Sequence, residues 1–420
     1  MVGVAGGAWM PPSFDPAELP TRVDTVEILL TEDARAALEA APFYGEDVLG
    51  SFVDGSGRRY DEVDVNFRGA YALERLIDAD PIGRRNWKVK FRSKEPYRNR
   101  REWNFNFEPH LRQKLAYDLM RFAGVPVPSA RHVVLKVNGE AQGLYLEYED
   151  PDNEDWLWEM FGDASGDLYK AARDLPASEG QPSQKYFADT TYLGPEDASY
   201  PGHYEKKTNH KGTVAGDYGA LRTFLEALNG LPADALDAWF ETSFEVDAFL
   251  SYLVVANFTS HWDSFPFRPK NYWLYEIRNR KKLAFIAWDL DATFDPDKSS
   301  FNQLGSEASL FFSLKSAEYR PIHSQEGTER PLAFRLFEVP RFEAAYVARY
   351  RALSETILSE EYLLGRIDAL RSLVEPHLTD ARTGNGPDTE RSDFEDALSE
   401  LKEFVTERTA SVREQLAALP

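Results

Sequence analysis

The spacing of apolar residues changes near position 150, and this change most constrains the fold of the 420-residue chain. Before it, residues 61–67 and 87–91 alternate apolar with polar side chains, which is typical of half-buried antiparallel strands. One segment, 111–122, instead has apolar residues at helical spacing, and Asn138 with Gly139 favours the tight turn of a hairpin. Helical spacing dominates in the second half. A β-rich half followed by a helical half predicts an α+β fold.

The same pattern divides the chain into three parts. We predict a flexible arm over residues 1–20, where four prolines interrupt any period, a β-rich N-terminal lobe over 21–150, and a mainly helical C-terminal lobe over 151–420. Within the last part, the low hydrophobicity of residues 173–216 predicts a long insertion or mobile loop. The other predicted elements there are helices at 217–229, 232–240 and 244–256, strands at 271–277 and 282–288, a polar loop at 295–330, and C-terminal helices at 340–420.

The charge of the chain limits its partners. It has 70 Asp and Glu against 48 Lys and Arg, a net charge of -22, which repels phosphates, so we expect neither nucleic-acid binding nor binding to an anionic membrane surface. The lack of cysteine excludes disulfides, thiolate metal sites and cysteine nucleophiles. No apolar run approaches the ~18 residues of a membrane span. We expect a cytoplasmic protein, with an exported or cell-surface protein whose leader has been trimmed as the alternative.

An apolar strand that ends in carboxylates is the strongest chemical signal. Residues 283–288 lead into Asp289 and Asp291, and the two-residue period of a strand would place both on the same side. Asp263 lies on a predicted loop, eight residues before Asn271. Oxygen ligands of this kind suit Mg²⁺, and phosphoryl transfer needs such a site beside an Asp that orients the attacking hydroxyl. Pattern alone equally allows Asp263 to cap a turn and Asp289 to pair with an arginine.

A basic cluster stands out in the acidic chain. Arg68 precedes the strand 87–91, from which Lys88 and Lys90 would project on one face. Such a row could meet the oxygens of a triphosphate. Taken by itself, an ordinary solvated strand face is the favoured interpretation. The chain has neither a Walker A motif nor an H-x-x-x-H pair, so side chains and metal ions would have to hold any nucleotide.

A third group of residues falls where a hinge between two lobes would lie. Glu147 and Glu149 share a face of one predicted strand, so we expect at least one of them to pair with a cation, such as a phosphate-binding lysine. Lys170 follows in a short apolar segment. A surface ladder of glutamates is an equally good interpretation of the strand.

Six motifs follow one another along the chain: Arg68-Gly69, the segment Arg84 to Phe91, the segment Val137 to Glu149, Leu168-Tyr169-Lys170, the loop Asp263 to Asn271, and Trp288-Asp289-Leu290-Asp291. In this order they resemble the spore-coat-protein-H (CotH) kinase family, and the likeness extends over about residues 20–420. The resemblance implies an atypical two-lobed protein-kinase-like fold that binds ATP with Mg²⁺, or Mn²⁺ in its place, and phosphorylates Ser or Thr in proteins.

Carried over residue by residue, the resemblance implies roles for the charged residues. Asp263 would be the catalytic base and Asp289 the metal ligand, with Asn271 and Asp291 as additions to the metal site. In the first lobe it implies cations for the phosphates and a strand beside the adenine. Arg68 and Lys88 or Lys90 would serve the phosphates, Lys170 would lie near the cleft, and the segment from Tyr145 to Glu149 would flank the adenine.

Two departures from the family pattern affect the nucleotide site. Arg84 and Arg85 stand where the family often has lysine, and the segment 69–84 is longer and more acidic than usual. The acidic loops also suggest a basic protein substrate. Other interpretations are a non-catalytic nucleotide-binding or surface interaction protein, a divalent-metal hydrolase, and a kinase of a small-molecule acceptor.

Overall fold

The structure is a computed structural model that describes residues 21–40, 46–68, 85–108, 110–171, 188–294, 304–315, 329–380 and 389–419. The predicted arm at 1–20, Arg84, and parts of the predicted loops at 173–216 and 295–330 lie outside the described residues.

Seven strands of the N-terminal part close into a barrel in the order β1-β2-β3-β4-β5-β7-β6. Strand β1 runs parallel to β6, and the other neighbours are antiparallel. The apolar side of the predicted alternation, including Val65, Val89 and Phe105, fills the barrel. The elements are β1 (Asp24–Leu29), α1 (Glu32–Ala40), β2 (Val48–Val53), β3 (Arg59–Arg68), β4 (Asn86–Lys90), β5 (Glu102–Phe107), α2 (Arg112–Phe122), β6 (Ala130–Val137) and β7 (Glu140–Glu149).

The predicted hairpin is confirmed and helps to close the barrel. Asn138 and Gly139 join β6 to β7 with positive φ angles of 50° and 85°, as a tight primed turn requires. The Asn138 side chain also accepts a hydrogen bond from the Leu30 N–H at 2.8 Å and donates to the Leu30 carbonyl at 2.9 Å. One turn residue therefore fixes both the hairpin and the end of β1.

The C-terminal part packs helices around a four-stranded sheet of order β11-β10-β8-β9. The helix α6 is buried along nearly its whole length, because its sequence is apolar on every side. The elements are α3 (Glu154–Phe161), β8 (Leu168–Ala171), β9 (Tyr204–Lys206), α4 (Gly219–Gly230), α5 (Ala233–Ser243), α6 (Val246–Phe258), β10 (Tyr272–Ile277), β11 (Lys282–Ala287), α7 (Pro331–Phe337), α8 (Pro340–Ser354), α9 (Glu360–Val374) and α10 (Glu390–Ala418).

The described part of the predicted insertion, residues 188–216, is anchored to the core of the C-terminal part. Strand β9 joins the sheet beside β8, and Tyr200 and Tyr204 are fully buried. Sparse aromatic residues anchor this segment to the core, which a periodicity analysis does not detect. Within the described ranges, no helix is both long and apolar enough to cross a membrane.

Candidate active site

The register of the barrel strands builds one polar wall. Asn66, Lys88, Asn104 and Tyr148 are successive Cα partners across β3, β4, β5 and β7. Because residues two apart in a strand share a face, the same wall carries further polar groups along each strand. These are Arg68, Lys90, Glu102, Asn106 and Asp150.

Arg68 joins this wall to the C-terminal part. Its Nη1 donates to Asn106 Oδ1 at 2.5 Å and to the Tyr148 hydroxyl. The guanidinium also lies over the rings of Tyr148 and Trp288, at 5.2 and 6.0 Å from their centroids. Burial opposes its charge, but Tyr148 and Asp289 outweigh burial and raise the pKa of Arg68. Arg68 is therefore a fixed cation beside Asp289.

Lys88 is held by carboxylates. Its Nζ lies 2.5 Å from Glu102 Oε2 and 3.1 Å from Asp150 Oδ2. Although burial disfavours each charge, the attraction raises the pKa of Lys88 and lowers that of Asp150. Asp152 lies beside them, and burial with the charges of Asp150 and Glu102 raises its pKa to about 7. The carboxylate partners expected for a phosphate-site lysine are therefore Asp150 and Glu102.

The ammonium group of Lys170 lies against two tryptophan rings. It lies opposite Trp273 in the β8–β10 pairing, and its Nζ is 5.0 Å from the Trp273 ring and 5.5 Å from the Trp288 ring. Burial lowers the pKa of Lys170 to about 8, against the attraction of Asp150. The ammonium is thus partly desolvated and mostly charged at neutral pH.

The acidic turn after β11 differs from the prediction in one detail. The strand ends at Ala287, and Asp289 has a left-handed φ of 55°, so Asp289 and Asp291 lie in a turn and not on one face of a strand. The turn is held against the end of α6, where Thr259 O accepts from the Phe294 N–H at 2.7 Å and His261 Nδ1 contacts the Ala292 carbonyl at 3.2 Å.

The carboxylates of this turn repel each other. Burial and the charge of Asp263 raise the pKa of Asp289, while Arg68 opposes the shift. Asp291 is exposed to solvent, and partial burial against the protein, together with the charges of Asp289 and Asp263, raises its pKa well above the usual value. Two neighbouring carboxylates that repel each other, with oxygen donors, fit a hard divalent cation such as Mg²⁺.

Asp263 lies on the loop that follows α6 and is held from three sides. Asn271 Nδ2 donates to both the carbonyl and Oδ2 of Asp263, each at 2.9 Å. Arg268 Nη1 donates to Asp263 Oδ1 at 2.9 Å, and Lys270 Nζ lies 3.5 Å from the same oxygen. These bonds to Asn271 use its amide nitrogen, so they do not consume its oxygen, the atom that would ligate a cation.

The structure brings together six of the predicted residues and separates four. Lys88 lies at the margin of the group, bound to Asp150, while Lys90 pairs with Asp47 at 3.0 Å farther along the wall. Tyr145 points into the barrel core and donates to the Arg85 carbonyl at 2.9 Å. Glu149 shares the face of β7 that carries Tyr145, opposite the face of Asp150, and it pairs with Arg100 at 2.5 Å. The other six are linked to one another by a hydrogen bond or by the effects of their charges, and the site that they form is named the cleft: Arg68, Lys170, Asp263, Asn271, Asp289 and Asp291.

Sequence reasoning missed Tyr148 and Asp150. It selected the alternate face of β7, where Glu147 pairs with Arg98 and Arg131, as Glu149 does with Arg100. The expectation that at least one of these glutamates pairs with a cation is confirmed, but the cations are arginines at the barrel end. Alternation along β7 would have shown that Tyr148 and Asp150 share a face, but not that this face borders the cleft.

Comparison with known proteins gives one family and two relatives. A family model described as CotH kinase protein matches residues 65–412. Inner spore coat protein H of Bacillus subtilis is 24% identical over 363 residues, covering 85% of this chain and 88% of the relative. Invasin CotH2 of Rhizopus delemar is 23% identical over 264 residues, covering 60% of this chain and 39% of the invasin.

A search of solved structures matched a complex of HipA, HipB and operator DNA from a Shewanella oneidensis toxin–antitoxin system. The identity is 12%, the match covers 92% of this chain and 80% of that one, and the TM-score is 0.35.

Proposed function

The chain belongs to the CotH kinase protein family, and we propose that it is a phosphotransferase that moves the γ-phosphoryl group of ATP to a Ser or Thr hydroxyl of a protein. The observation that carries the proposal is the meeting of three carboxylates, Asp263, Asp289 and Asp291, with the cations Arg68 and Lys170 around one cleft. Phosphoryl transfer needs this combination of an acceptor-orienting carboxylate, cation ligands and positive charge for phosphates. The atypical two-lobed kinase-like arrangement is part of the same proposal.

Asp263 serves the acceptor in this proposal. Held by Asn271 and Arg268, its carboxylate has a fixed direction and accepts a hydrogen bond from the acceptor hydroxyl. The hydroxyl oxygen attacks the γ-phosphorus, the bond from that phosphorus to the bridging oxygen breaks, ADP leaves, and the hydroxyl proton passes to Asp263. Asp289 and Asp291, with Asn271, would hold Mg²⁺ or Mn²⁺, which supplies neutralisation of the phosphate charge.

The phosphate-binding role falls to Arg68 and Lys170 more than to the other candidate cations. Arg68 is fixed by Tyr148 and Asn106. Lys170 contacts two tryptophan rings, and among the described residues no carboxylate forms an ion pair with it, whereas Lys88 is paired with carboxylates. A cation already neutralised by two carboxylates has less attraction for phosphate than one that is not.

A basic protein is the substrate that the charge of the chain favours. With a net charge of -22, the protein attracts segments rich in Lys and Arg. One relative is named as an inner spore coat protein, and on that basis we extend the proposal to an association with the spore coat, in place of the cytoplasmic address expected from sequence.

Transfer of labelled γ-phosphate tests the proposal. Wild type, Asp263→Asn, Asp289→Asn and the surface control Asp237→Asn are incubated with Mg-ATP or Mn-ATP and a basic Ser-rich protein, while calorimetry measures ATP binding separately. We expect label only with wild type and Asp237→Asn. ATP binding without transfer by wild type would instead support a non-catalytic nucleotide-binding protein, and transfer that survives Asp263→Asn would refute the assigned role of Asp263.

A further inference from the structure

A buried arginine binds the loop that carries Asp263. Arg330 is 3% exposed, and its Nε donates to the Phe265 carbonyl at 3.2 Å, while Nη2 donates to the Phe267 carbonyl at 3.0 Å. The two carbonyls lie on either side of Pro266, which has no N–H of its own to donate. The planar guanidinium offers its N–H groups in a fixed fork, so one side chain holds two points of the loop at once.

The backbone that Arg330 binds lies between Asp263 and Arg268, which contact each other. Arg268 Nη1 donates to Asp263 Oδ1 at 2.9 Å, and the Arg268 N–H donates to the Ser264 carbonyl at 2.7 Å. These bonds join the two ends of a short turn, so the direction of the Asp263 carboxylate depends on the path of residues 264–267. A shift in that path would turn the carboxylate.

Arg330 is itself held in place by the described part of the predicted insertion. Helix α7 begins directly after Arg330, and the Leu332 N–H in its first turn donates to Thr190 Oγ1 at 3.0 Å. Two residues before Thr190, the Ala188 N–H donates to the Pro269 carbonyl at 3.3 Å. One segment therefore bonds both the start of α7 and the loop that Arg330 binds, which fixes the distance between them.

We propose that Arg330 is a positioning residue for phosphoryl transfer, which holds the loop 263–271 so that the Asp263 carboxylate keeps the direction that the acceptor hydroxyl requires. A displacement of about 1 Å at a reacting group can lower the rate about 100-fold, so a buried fork on this loop affects turnover. The inference rests on the proposed function for its reaction, and it adds a residue from a segment that none of the six motifs includes.

Arg335, in the same helix α7, provides a matched control. Its Nε donates to the Leu228 carbonyl at 3.1 Å and its Nη2 donates to the Leu231 carbonyl, so it also binds two backbone carbonyls. These carbonyls lie at the C-terminal end of α4 and not in the loop of Asp263. Loss of either arginine should reduce stability, whereas only a positioning residue should change turnover at unaltered ATP affinity.

The experiment measures phosphate transfer from Mg-ATP to a basic Ser-rich protein by wild type, Arg330→Met, Arg330→Lys and Arg335→Met, below the unfolding temperature of each. We expect kcat to fall about 10- to 100-fold in Arg330→Met, with KM for ATP and the kcat of Arg335→Met each within about twofold of wild type. Arg330→Lys keeps the charge but not the fork, so its kcat should lie between those of wild type and Arg330→Met. Equal kcat values in Arg330→Met and Arg335→Met, or a loss confined to KM for ATP, overturn the inference.

Amide hydrogen exchange over residues 261–271 gives a second measurement that does not depend on activity. The turn in this segment contains two N–H groups that donate to the Ser264 carbonyl, and their exchange reports how firmly the loop is held. We expect faster exchange in both Arg330 variants and not in Arg335→Met, and Arg330→Lys supplies the result if Arg330→Met does not fold. Unaltered exchange overturns the inference. Faster exchange together with no phosphate transfer by wild type would refute the proposed function and leave the hold of Arg330 on the loop standing.

Discussion

Lys88 Nζ lies 3.1 Å from Asp150 Oδ2, and this pair connects the middle of the barrel wall to the end of β7. Asp150 is 5% exposed, so its charge depends on the lysine for compensation. Its second oxygen, Oδ1, is buried and has no hydrogen-bond partner within the described ranges. The pair is therefore an anchor of the wall as well as a neighbour of the cleft.

Breaking this pair should destabilise the protein. We expect Asp150→Asn to lower the free energy of unfolding by about 3 kcal/mol, because it leaves Lys88 partly buried with one fewer counter-charge. The exposed pair of Lys90 with Asp47 provides the control, and Asp47→Asn should cost less than about 1 kcal/mol. Urea unfolding at pH 7 measures both. Equal losses of unfolding free energy in the two variants would show that Asp150 stabilises the fold no more than an exposed ion pair does.

One buried carboxyl, that of Glu108, should contribute less to the free energy of unfolding as pH rises from about 4 to about 8. Burial raises the pKa of Glu108, at the end of β5, to about 8, against the Gln113 N–H and Arg112. A carboxyl whose folded pKa exceeds its unfolded value binds protons more tightly in the folded state, so its contribution is present at low pH and is lost as pH rises through that window.

Glu108→Gln tests this dependence, since each pKa unit corresponds to about 1.4 kcal/mol. We expect the fall in unfolding free energy between pH 5 and pH 8 to be smaller in Glu108→Gln than in wild type, while the exposed Glu355→Gln behaves like wild type. Asp152, with its pKa raised to about 7, supplies a residual slope of the same sign. A slope unaltered by Glu108→Gln would contradict the prediction.

The features that could be predicted from sequence depend on interactions between residues close in the chain, and the features that could not depend on contacts between distant segments. Alternation and turn chemistry are local, so the strands 61–67 and 87–91 and the hairpin at Asn138 could be predicted. Barrel closure depends on the parallel pairing of β1 with β6, and the position of the Tyr148 face of β7 depends on pairing with β5. Both strand pairs are far apart in sequence, and no local pattern specifies their register. Likewise, Lys88 and Lys90 share a face, and only the fold separates the one beside the cleft from the one beside Asp47.

The two lysines Lys170 and Lys90 should differ in their effect on nucleotide binding. We expect Lys170→Met to weaken ATP binding by about 10- to 100-fold, the loss of one charge-assisted hydrogen bond to phosphate. Lys90→Met removes an equal charge from the neighbourhood of Asp47 and should leave the affinity within about twofold. Calorimetric titration with ATP and Mg²⁺ measures both. A larger loss of ATP affinity in Lys90→Met than in Lys170→Met would mean that the phosphates bind near Lys90 and not near Lys170, and would contradict the proposal.

ATP affinity should also depend on pH through Lys170. Its pKa, lowered to about 8 by burial, means that the ammonium is charged below that pH and neutral above it. We expect affinity to be constant from pH 6.5 to 7.5 and to fall between pH 8 and 9. Lys170→Arg keeps its charge and should bind ATP with little change over the same range. If the ATP affinity of the wild-type protein stays constant up to pH 9, Lys170 does not bind the phosphates.

Acceptor choice should follow the negative charge of the protein. We expect peptides with a Ser flanked by Lys or Arg to be phosphorylated with a kcat/KM at least about 10-fold above peptides of equal length flanked by Asp or Glu, since a net charge of -22 attracts the former and repels the latter. The ratio should shrink when ionic strength rises from 0.05 to about 0.5 M, where the Debye length becomes shorter than the separation of exposed charges. A preference for acidic peptides, or a ratio insensitive to salt, would mean that contacts close to Asp263, including Arg268 and Lys270, select the acceptor instead of the overall charge.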